Sequence, residues 1–156
     1  MLKNNYPKVN KFVNLKNARE KEQLKVMEKI AKDQICPFCE NSIKNYHPKP
    51  ILFKTANWLV TENAWPYPMT QNHFLLIHRK HIVHTKNISA KGWSEIGKII
   101  KKLEKSNNLN YGTLLMRFGE TSKTGASVTH VHLQLVQSNP NDKNYDPKIG
   151  IFTRIG

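Results

Sequence analysis

Cysteine, acidic residues and long apolar stretches are all scarce in this sequence of 156 residues. It contains two cysteines, and its 11 aspartates and glutamates are outnumbered by 25 lysines and arginines, which gives a formal net charge of +14. Two cysteines cannot build a disulfide framework, and no apolar run approaches the roughly 20 residues of a membrane-spanning helix. The sequence therefore excludes a disulfide-stapled scaffold and predicts no membrane-spanning helix.

The first 17 residues are polar and basic, without the apolar centre of a secretory leader. We therefore expect a soluble, cytoplasmic protein with no membrane partner, in a compartment that keeps both cysteines reduced. The length suits one domain with a sizeable core, although an apolar content of 38% is slightly lean.

The excess of positive charge favours polyanionic partners, whether nucleotides, nucleic acid or an anionic membrane. The lysines are spread along the chain, however, and do not form one basic patch. A lysine-rich proteome would give the same composition. Charge alone therefore leaves nucleic acid as an open but unfavoured partner.

The hydrophobic periodicity predicts an α+β domain, with an antiparallel sheet of about five strands and a helix packed across it. An N-terminal arm and helix are expected at residues 1–34, and the main domain at residues 35–156. Asn17 is expected to cap the first helix, and Trp93 to face inward from the second. We expect helices at 17–32 and 89–106, strands at 51–54, 57–61, 73–78, 111–118 and 128–136, a polar loop at 119–127, and a further strand at 149–154.

The only cysteines form a C-x-x-C pair, Cys36-Pro37-Phe38-Cys39. A redox dithiol of the thioredoxin type would need a strand before the pair and a helix starting at its first cysteine. Here a predicted amphipathic helix precedes the pair, and polar, turn-forming sequence follows it. The remaining interpretation is half of a zinc site, in which two imidazoles complete a tetrahedral shell. Seven histidines are available for this: His47, His73, His78, His81, His84, His130 and His132.

Two histidines and a glutamine alternate with aliphatic residues in the run His130-Val131-His132-Leu133-Gln134. A period of two places both imidazoles and the amide on one face of a strand, with the aliphatic residues on the core face. A solvated sheet face would show the same alternation. A site is favoured because histidine suits nucleophilic and metal chemistry near neutral pH, and because the cysteine pair is an independent signal.

Three motifs, taken in their order along the chain, resemble those of the histidine-triad (HIT) superfamily of nucleotidyl hydrolases and transferases. The run 130–134 is similar to the family pattern H-x-H-x-H or H-x-H-x-Q, and the loop 124–129 to the glycine and serine approach before it. The segment 72–81, Asn-His-Phe-Leu-Leu-Ile-His-Arg-Lys-His, resembles the other family signature, and many members carry a C-x-x-C before the first strand. The resemblance spans residues 35–136 and implies the family's fold and its usual homodimer.

The resemblance implies a structural zinc ion with four ligands: Cys36, Cys39, His81 and His130. His132 is then free as the nucleophile, and would attack the α-phosphate of a nucleotide ester or anhydride to form a nucleotidyl-histidine. His47 competes as a ligand because it is close in sequence to the cysteines. His78 is expected to face solvent.

The resemblance also implies the groups around the nucleophile. Gln134, the Ser127 hydroxyl and backbone amides near Gly125 would stabilise charge on the phosphoryl oxygens. Arg79 or Lys123 would add positive charge, and Glu62 with Asn63 would meet the ribose hydroxyls. The implied substrate contacts are Gly125, Glu62, Asn63, His73 and Lys123.

Gln134 departs from the hydrolase branches of the family, in which this position is histidine. Glutamine is typical of the uridylyltransferase and dinucleoside-polyphosphate phosphorylase relatives. An amide can donate a hydrogen bond to a phosphoryl oxygen, but it cannot take or give a proton near pH 7. The resemblance therefore implies a transferase or phosphorylase that acts on a nucleotide or dinucleotide.

Three other functions stay open. The first is a HIT-type nucleotide hydrolase. The second is a zinc-stapled nucleic-acid-binding module without turnover, in which bases stack on aromatic side chains. In the third, His130 and His132 jointly hold a catalytic metal ion. The candidate stacking residues are Trp58, Trp65, Tyr67 and Trp93.

Overall fold

A computed structural model describes residues 10–155, so most of the predicted N-terminal arm, residues 1–9, lies outside the described part. Five antiparallel strands form one sheet in the order β1-β2-β3-β5-β4, which confirms the predicted α+β class. The strands are β1 (Ile51–Lys54), β2 (Trp58–Glu62), β3 (Thr70–His78), β4 (Thr113–Arg117) and β5 (His132–Ser138). The helices are α1 (Lys21–Asp33), α2 (Ile43–Tyr46), α3 (Ala90–Asn107) and α4 (Thr121–Thr124), with 3-10 turns at Leu15–Asn17 and Thr85–Asn87.

Strand β3 occupies the centre of the sheet, as its nearly continuous apolar run predicts, because both of its faces are covered. Phe74 and Leu76 pack on the α3 side of the sheet, whereas Leu75 and Ile77 pack on the opposite side with Ile43 of α2. In β5, Leu133 and Leu135 pack in the same core cluster on the α3 side of the sheet. The polar residues of β5 therefore face the side that carries the cysteines.

Helix α3 packs across the sheet as predicted. Its Ser89 cap accepts a hydrogen bond from the Gly92 amide at 3.0 Å, and its buried stripe includes Ile96 and Leu103. The inward placement predicted for Trp93 is wrong, because this side chain is 47% exposed. The buried stripe passes through Gly92, one position earlier, where the carbonyl accepts a hydrogen bond from the indole of buried Trp58.

Helix α1 begins four residues later than predicted, with Glu20 at its N-cap, so Asn17 does not cap it. The side-chain amide of Asn17 instead donates hydrogen bonds to the carbonyls of Thr121 in α4 and Ala126 in the loop after α4, at 3.1 and 2.7 Å. The apolar face of α1, with Met27 and Ile30, packs against Tyr46 and Val128. The N-terminal helix is thereby joined to the segment that leads into the histidine strand.

Several other predicted boundaries differ from the structure. Strand β5 begins at His132, so His130 lies in the preceding bend, and strand β4 is shorter than predicted. The predicted loop at 119–127 contains the short helix α4, and the predicted strand at 149–154 is wrong because this segment is irregular. Within residues 10–155, no helix is both long and apolar enough to cross a membrane.

Candidate functional site

The Cys36–Cys39 pair lies in a tight turn between α1 and α2. The Ser42 hydroxyl donates hydrogen bonds to the carbonyls of Cys36 and Cys39, at 2.5 and 3.1 Å, and the Ile43 amide donates to the Cys39 carbonyl at 2.9 Å. No strand precedes the pair within the described chain for at least ten residues, and no helix starts at Cys36. The thioredoxin-type context is therefore absent, and the turn presents both thiols to one side.

Two histidines bring ring nitrogens to these thiols. The Nδ1 atom of His130 lies 3.3 Å from the Cys36 sulfur and 4.0 Å from the Cys39 sulfur, and the Nδ1 atom of His81 lies 3.6 Å from the Cys39 sulfur. The four donor atoms all lie within 4.8 Å of one another. They come from the turn after α1, the segment after β3 and the bend before β5.

This donor set fits a tetrahedral zinc ion. Zn–S bonds of about 2.3 Å and Zn–N bonds of about 2.0 Å give ligand-to-ligand distances of roughly 3.3–3.8 Å, close to the spacings found here. The Nε2–H of His130 donates to the His78 carbonyl at 2.6 Å, so Nδ1 carries the lone pair on the side of the sulfurs. Burial lowers the pKa of His130 to about 3, which keeps that lone pair available.

The pKa of the Cys36 thiol also bears on whether a cation binds here. Burial raises the pKa of Cys36 to about 12, so the thiolate needs a positive partner to exist near neutral pH. A bound divalent ion would supply that charge. His47, the competing ligand from the sequence, does not belong to this group: its Nε2 atom lies 3.0 Å from both the Thr61 hydroxyl and the Glu62 carbonyl.

His132 lies two residues from His130 but is not one of the four donor residues. Its Nδ1 atom lies 2.8 Å from the His130 carbonyl, which can only accept, so Nδ1 carries the proton and Nε2 the lone pair. Burial lowers the pKa of His132, and the ring is 8% exposed with the edge of Phe38 packed against it. His132 is therefore a neutral, oriented imidazole.

A cleft runs beside His132 on the face of the sheet opposite α3. One wall is α1, whose Gln23, Met27 and Ile30 face it, and the floor is β5. The polar residues that line the cleft include Arg19, Gln23, His47, Asn63, Tyr67, Arg117, Ser127, His132 and Gln134. The sequence pattern therefore brought the nucleophile candidate and Gln134 to one cavity, but it gave no sign that the N-terminal helix would close it.

Gln134 is held by a chain of hydrogen bonds. The Tyr67 amide donates to His73 Nδ1 at 3.2 Å, so Nε2 of His73 carries the proton and donates to the Gln134 side-chain oxygen at 2.8 Å. Burial lowers the pKa of His73 to about 4, so this ring is neutral at pH 7. The Gln134 amide nitrogen then donates on the side of the Tyr67 hydroxyl, and this interaction contributes to lowering the pKa of Tyr67.

The other residues named from the sequence are divided between the cleft and the surface. Gly125, Ser127 and Asn63 line the cleft, and the Ser127 hydroxyl donates to the Asn17 carbonyl at 3.1 Å. Glu62 does not line the cleft: its carboxylate is half exposed and pairs with a lysine at 3.4 Å. Lys123 is likewise exposed and pairs with a neighbouring glutamate at 3.1 Å.

Two further positions differ from the sequence-based interpretation. Arg79 does not face the cleft but pairs with Glu40 at 2.8 Å. His78 is buried, at 3% exposure, so the prediction that it faces solvent is wrong. Its ring packs edge-on against Trp58, which the polar character of histidine did not suggest.

The sequence analysis missed Arg19 and Arg117. Arg117 ends β4 directly opposite His132 in the sheet register, and Arg19 precedes α1. Only four of the 25 basic residues are arginines, and that scarcity is the one signal that would have drawn attention to them. Their common position at the cleft depends on contacts between distant parts of the chain.

Comparisons with known proteins bear on the fold. No family model and no curated protein matches the sequence. Among solved structures, a zinc-bound histidine triad family protein from Mycobacterium smegmatis is 19% identical, with a TM-score of 0.53 over 73% of this chain and 84% of that one. A histidine triad nucleotide-binding protein from Candida albicans is 22% identical, with a TM-score of 0.53 over 72% and 76% of the two chains.

A HIT family hydrolase from Clostridium thermocellum is 21% identical, with a TM-score of 0.51 over 66% of this chain and 90% of that one. The chain therefore has the histidine-triad fold, with a five-stranded antiparallel sheet. Identities near 20% establish the fold only.

Proposed function

We propose that this chain is a nucleotide-processing enzyme of the histidine-triad type, in which His132 attacks the α-phosphate of a nucleotide ester or anhydride. The observation that carries the proposal is the single tautomer of His132: Nδ1–H donates to the His130 carbonyl at 2.8 Å, so the lone pair is on Nε2 of a ring that lines the cleft. The fold and the polar groups of the cleft support the same assignment.

In the proposed step, Nε2 of His132 forms a bond to phosphorus while the bond from phosphorus to the departing group breaks. The imidazole gains positive charge as it becomes a nucleotidyl-histidine. The His130 carbonyl, already bonded to Nδ1–H, stabilises that charge without any rearrangement. Burial of the ring excludes bulk water from the nucleophile until substrate enters.

Gln134 is proposed to stabilise the phosphoryl oxygens with its amide nitrogen. His73 fixes the orientation of this amide through the bond to the side-chain oxygen, so the donor side is set before substrate arrives. Backbone amides near Gly125 are proposed to assist, and Asn63 to contact the nucleotide. The Ser127 hydroxyl would assist after releasing the Asn17 carbonyl, to which it donates at 3.1 Å. Glu62 and Lys123 would need to move to reach a bound nucleotide, because they lie at the surface.

The four donors Cys36, Cys39, His81 and His130 are proposed to bind one zinc ion. When bound, the ion supplies fixed positive charge for the thiolates and a cross-link between the turn after α1 and the segments that flank β3 and β5. Because the His130 carbonyl orients His132, the ligand set also stabilises the position of the nucleophile. His132 is not part of the donor group, which argues against a catalytic metal shared by His130 and His132.

A transferase or phosphorylase is favoured over a hydrolase because Gln134 cannot activate water by taking a proton. A panel of nucleotides and dinucleotides distinguishes a phosphorylase from a hydrolase. Each substrate is offered one of two acceptors, water in ¹⁸O-enriched buffer or inorganic phosphate. Release of a nucleoside diphosphate with phosphate is expected for a phosphorylase, and ¹⁸O-labelled nucleoside monophosphate for a hydrolase. Absence of any cleavage at the α-phosphate across the panel would contradict the proposal.

A nucleic-acid-binding module is the second candidate. Trp58 is fully buried and its indole donates to the Gly92 carbonyl, so it is not available for stacking on a base. The net charge of +14 remains its main support.

We also propose a homodimer. Strand β4 is at one edge of the sheet, and Leu114 on this strand is 49% exposed, with Phe118 just beyond it 53% exposed. An edge strand with apolar side chains is a surface that a second copy can cover. Light scattering should give twice the chain mass at micromolar concentration. The Leu114→Lys variant should give a mass closer to that of one chain. A strict monomer for the unmodified protein would contradict this proposal.

A further inference from the structure

Two arginines from different ends of the fold meet at Tyr67, beside the nucleophile. The Arg19 guanidinium lies 4.7 Å from the centroid of the Tyr67 ring, and one of its nitrogens donates to the Trp65 carbonyl. Arg117 donates to the Tyr67 hydroxyl at 3.2 Å. Burial would raise the pKa of Tyr67, but hydrogen bonds that include those from Thr153 and Arg117 lower it overall. Tyr67 thus holds both cations at one end of the cleft.

Among residues 10–155, neither arginine forms an ion pair, although the charge of the adjacent Glu20 acts on Arg19. The remaining contacts of Arg117 are neutral oxygens, the Thr153 hydroxyl at 3.0 Å and the Arg154 carbonyl at 2.7 Å. Its Nε atom is buried and has no hydrogen-bond partner among the described residues. An anion at this position would satisfy that donor and neutralise two neighbouring positive charges.

The charge of Arg117 also acts on Arg19. Burial lowers the pKa of Arg19, and the positive charge of Arg117 lowers it further against the opposing effects of Tyr67 and Glu20. Two guanidinium groups that repel one another in a partly buried position are an arrangement that a multiply charged anion relieves. Arginine is also the side chain best shaped for bidentate contact with phosphate.

Space for such an anion lies directly beyond His132. A hollow of about 260 Å³ adjoins the cleft, and Arg19, Tyr67 and Arg117 line both cavities. Lys16 and Arg154 line the hollow from the other side. A substrate whose α-phosphate is at His132 can therefore extend further phosphate groups past Arg117 into a positively charged space.

Gln134 and His73 have no proton to give to a departing group, and the Tyr67 hydroxyl in the same part of the cleft accepts a hydrogen bond from Arg117. Gln134 carries an amide, and His73 is neutral with its one ring proton already bonded to Gln134. An amine or a simple alcohol would need a proton to depart from phosphorus, whereas a phosphate oxyanion is a stable leaving group without one. Arg19 and Arg117 can thus neutralise negative charge on a departing group that Gln134 and His73 cannot protonate.

We propose that Arg19 and Arg117 form an anion site for the departing phosphate of an anhydride, so that the substrates are nucleoside or dinucleoside polyphosphates and not nucleotide esters or amidates. This inference rests on the proposed function of His132. As Nε2 of His132 bonds to the α-phosphorus, the bond from that phosphorus to the bridging oxygen breaks. The electron pair stays on that oxygen, and the departing phosphate retains its charge against the two guanidinium groups.

A pair of substrates with the same nucleoside tests the proposal. Cleavage of adenosine 5′-triphosphate at the α-phosphorus releases anionic pyrophosphate, whereas cleavage of adenosine 5′-phosphoramidate releases ammonia, whose nitrogen must gain a proton. Arg19→Gln should lower kcat/KM for the triphosphate by about 10–100-fold and for the phosphoramidate by less than about threefold. Arg19→Lys should recover part of the loss because it keeps the charge. An equal loss on both substrates, or no loss on either, would overturn the proposal.

Lys25→Gln is the matched control, because it removes one positive charge from the exposed side of α1. Its kinetics should equal those of the unmodified protein. Binding of inorganic pyrophosphate, measured by calorimetry, examines the anion site without turnover. Arg19→Gln should bind pyrophosphate at least about tenfold more weakly than the unmodified protein and Lys25→Gln. Equal affinity in all three would overturn the anion site, whereas Arg19-dependent binding without any turnover would refute the proposed reaction of His132 and not the site.

Discussion

Replacing His132 with asparagine should lower the rate of α-phosphate cleavage by about four to six orders of magnitude, because this change removes the covalent nucleophile. Asparagine has no nitrogen lone pair that can attack phosphorus. Its side-chain amide can still donate to the His130 carbonyl, so the local backbone has no reason to shift. Steady-state kinetics on the best substrate of the panel, with nucleotide affinity and thermal unfolding measured in parallel, checks this result.

His84→Asn is the control for this variant. It removes an exposed imidazole outside both the cleft and the donor group of the proposed zinc site. Activity should stay within about twofold of the unmodified protein, in line with the small effects of most surface substitutions. A His132→Asn protein that is folded and retains more than about a tenth of the activity would remove His132 from the role of nucleophile.

Replacing Cys36 with serine should abolish stoichiometric zinc binding and lower the melting temperature by roughly 10 °C or more. The free energy of binding a structural ion is part of the free energy of folding, and a serine hydroxyl is a poor ligand beside the buried His130 ring. His130→Asn should have the same effect. Metal analysis by mass spectrometry and thermal unfolding, with and without a chelator, measure both consequences.

The matched variant for this experiment is His132→Asn, only two positions from His130. It should retain one zinc per chain and an unchanged melting temperature, because its ring is not among the four donors. A Cys36→Ser protein that is metal-free and melts at the same temperature as the unmodified protein would contradict the zinc assignment. Loss of zinc in both histidine variants would instead favour a metal shared by the two rings.

The sequence predicted those parts of the fold that depend on local pattern. The continuous apolar run predicted that β3 is a strand covered on both faces, and the apolar stripe of period 3.6 predicted that α3 is a helix covered on one face. Both elements lie within a few residues of the predicted bounds. The alternation of His132 and Gln134 with leucines likewise predicted which side of β5 faces the cysteines, because a strand has a period of two.

Contacts between distant segments account for what could not be predicted. Asn17 has the composition of a helix cap, yet its partners are carbonyls 104 and 109 residues further along the chain. Arg19 and Arg117 are ordinary basic residues in the sequence, and they become part of the cleft only because α1 and β4 are both placed around Tyr67. The covering of the cleft by α1 follows from the same long-range packing.

Detection of the covalent intermediate tests the central claim most directly. The unmodified protein is mixed with a nucleoside polyphosphate, quenched within milliseconds to seconds under alkaline conditions that preserve phosphorus–nitrogen bonds, and examined by intact-mass and peptide mass spectrometry. The account predicts an added nucleoside monophosphate on the peptide that contains His132, absent from His132→Asn and present in His84→Asn. An adduct of the same yield in His132→Asn, or one located on another residue, would contradict it.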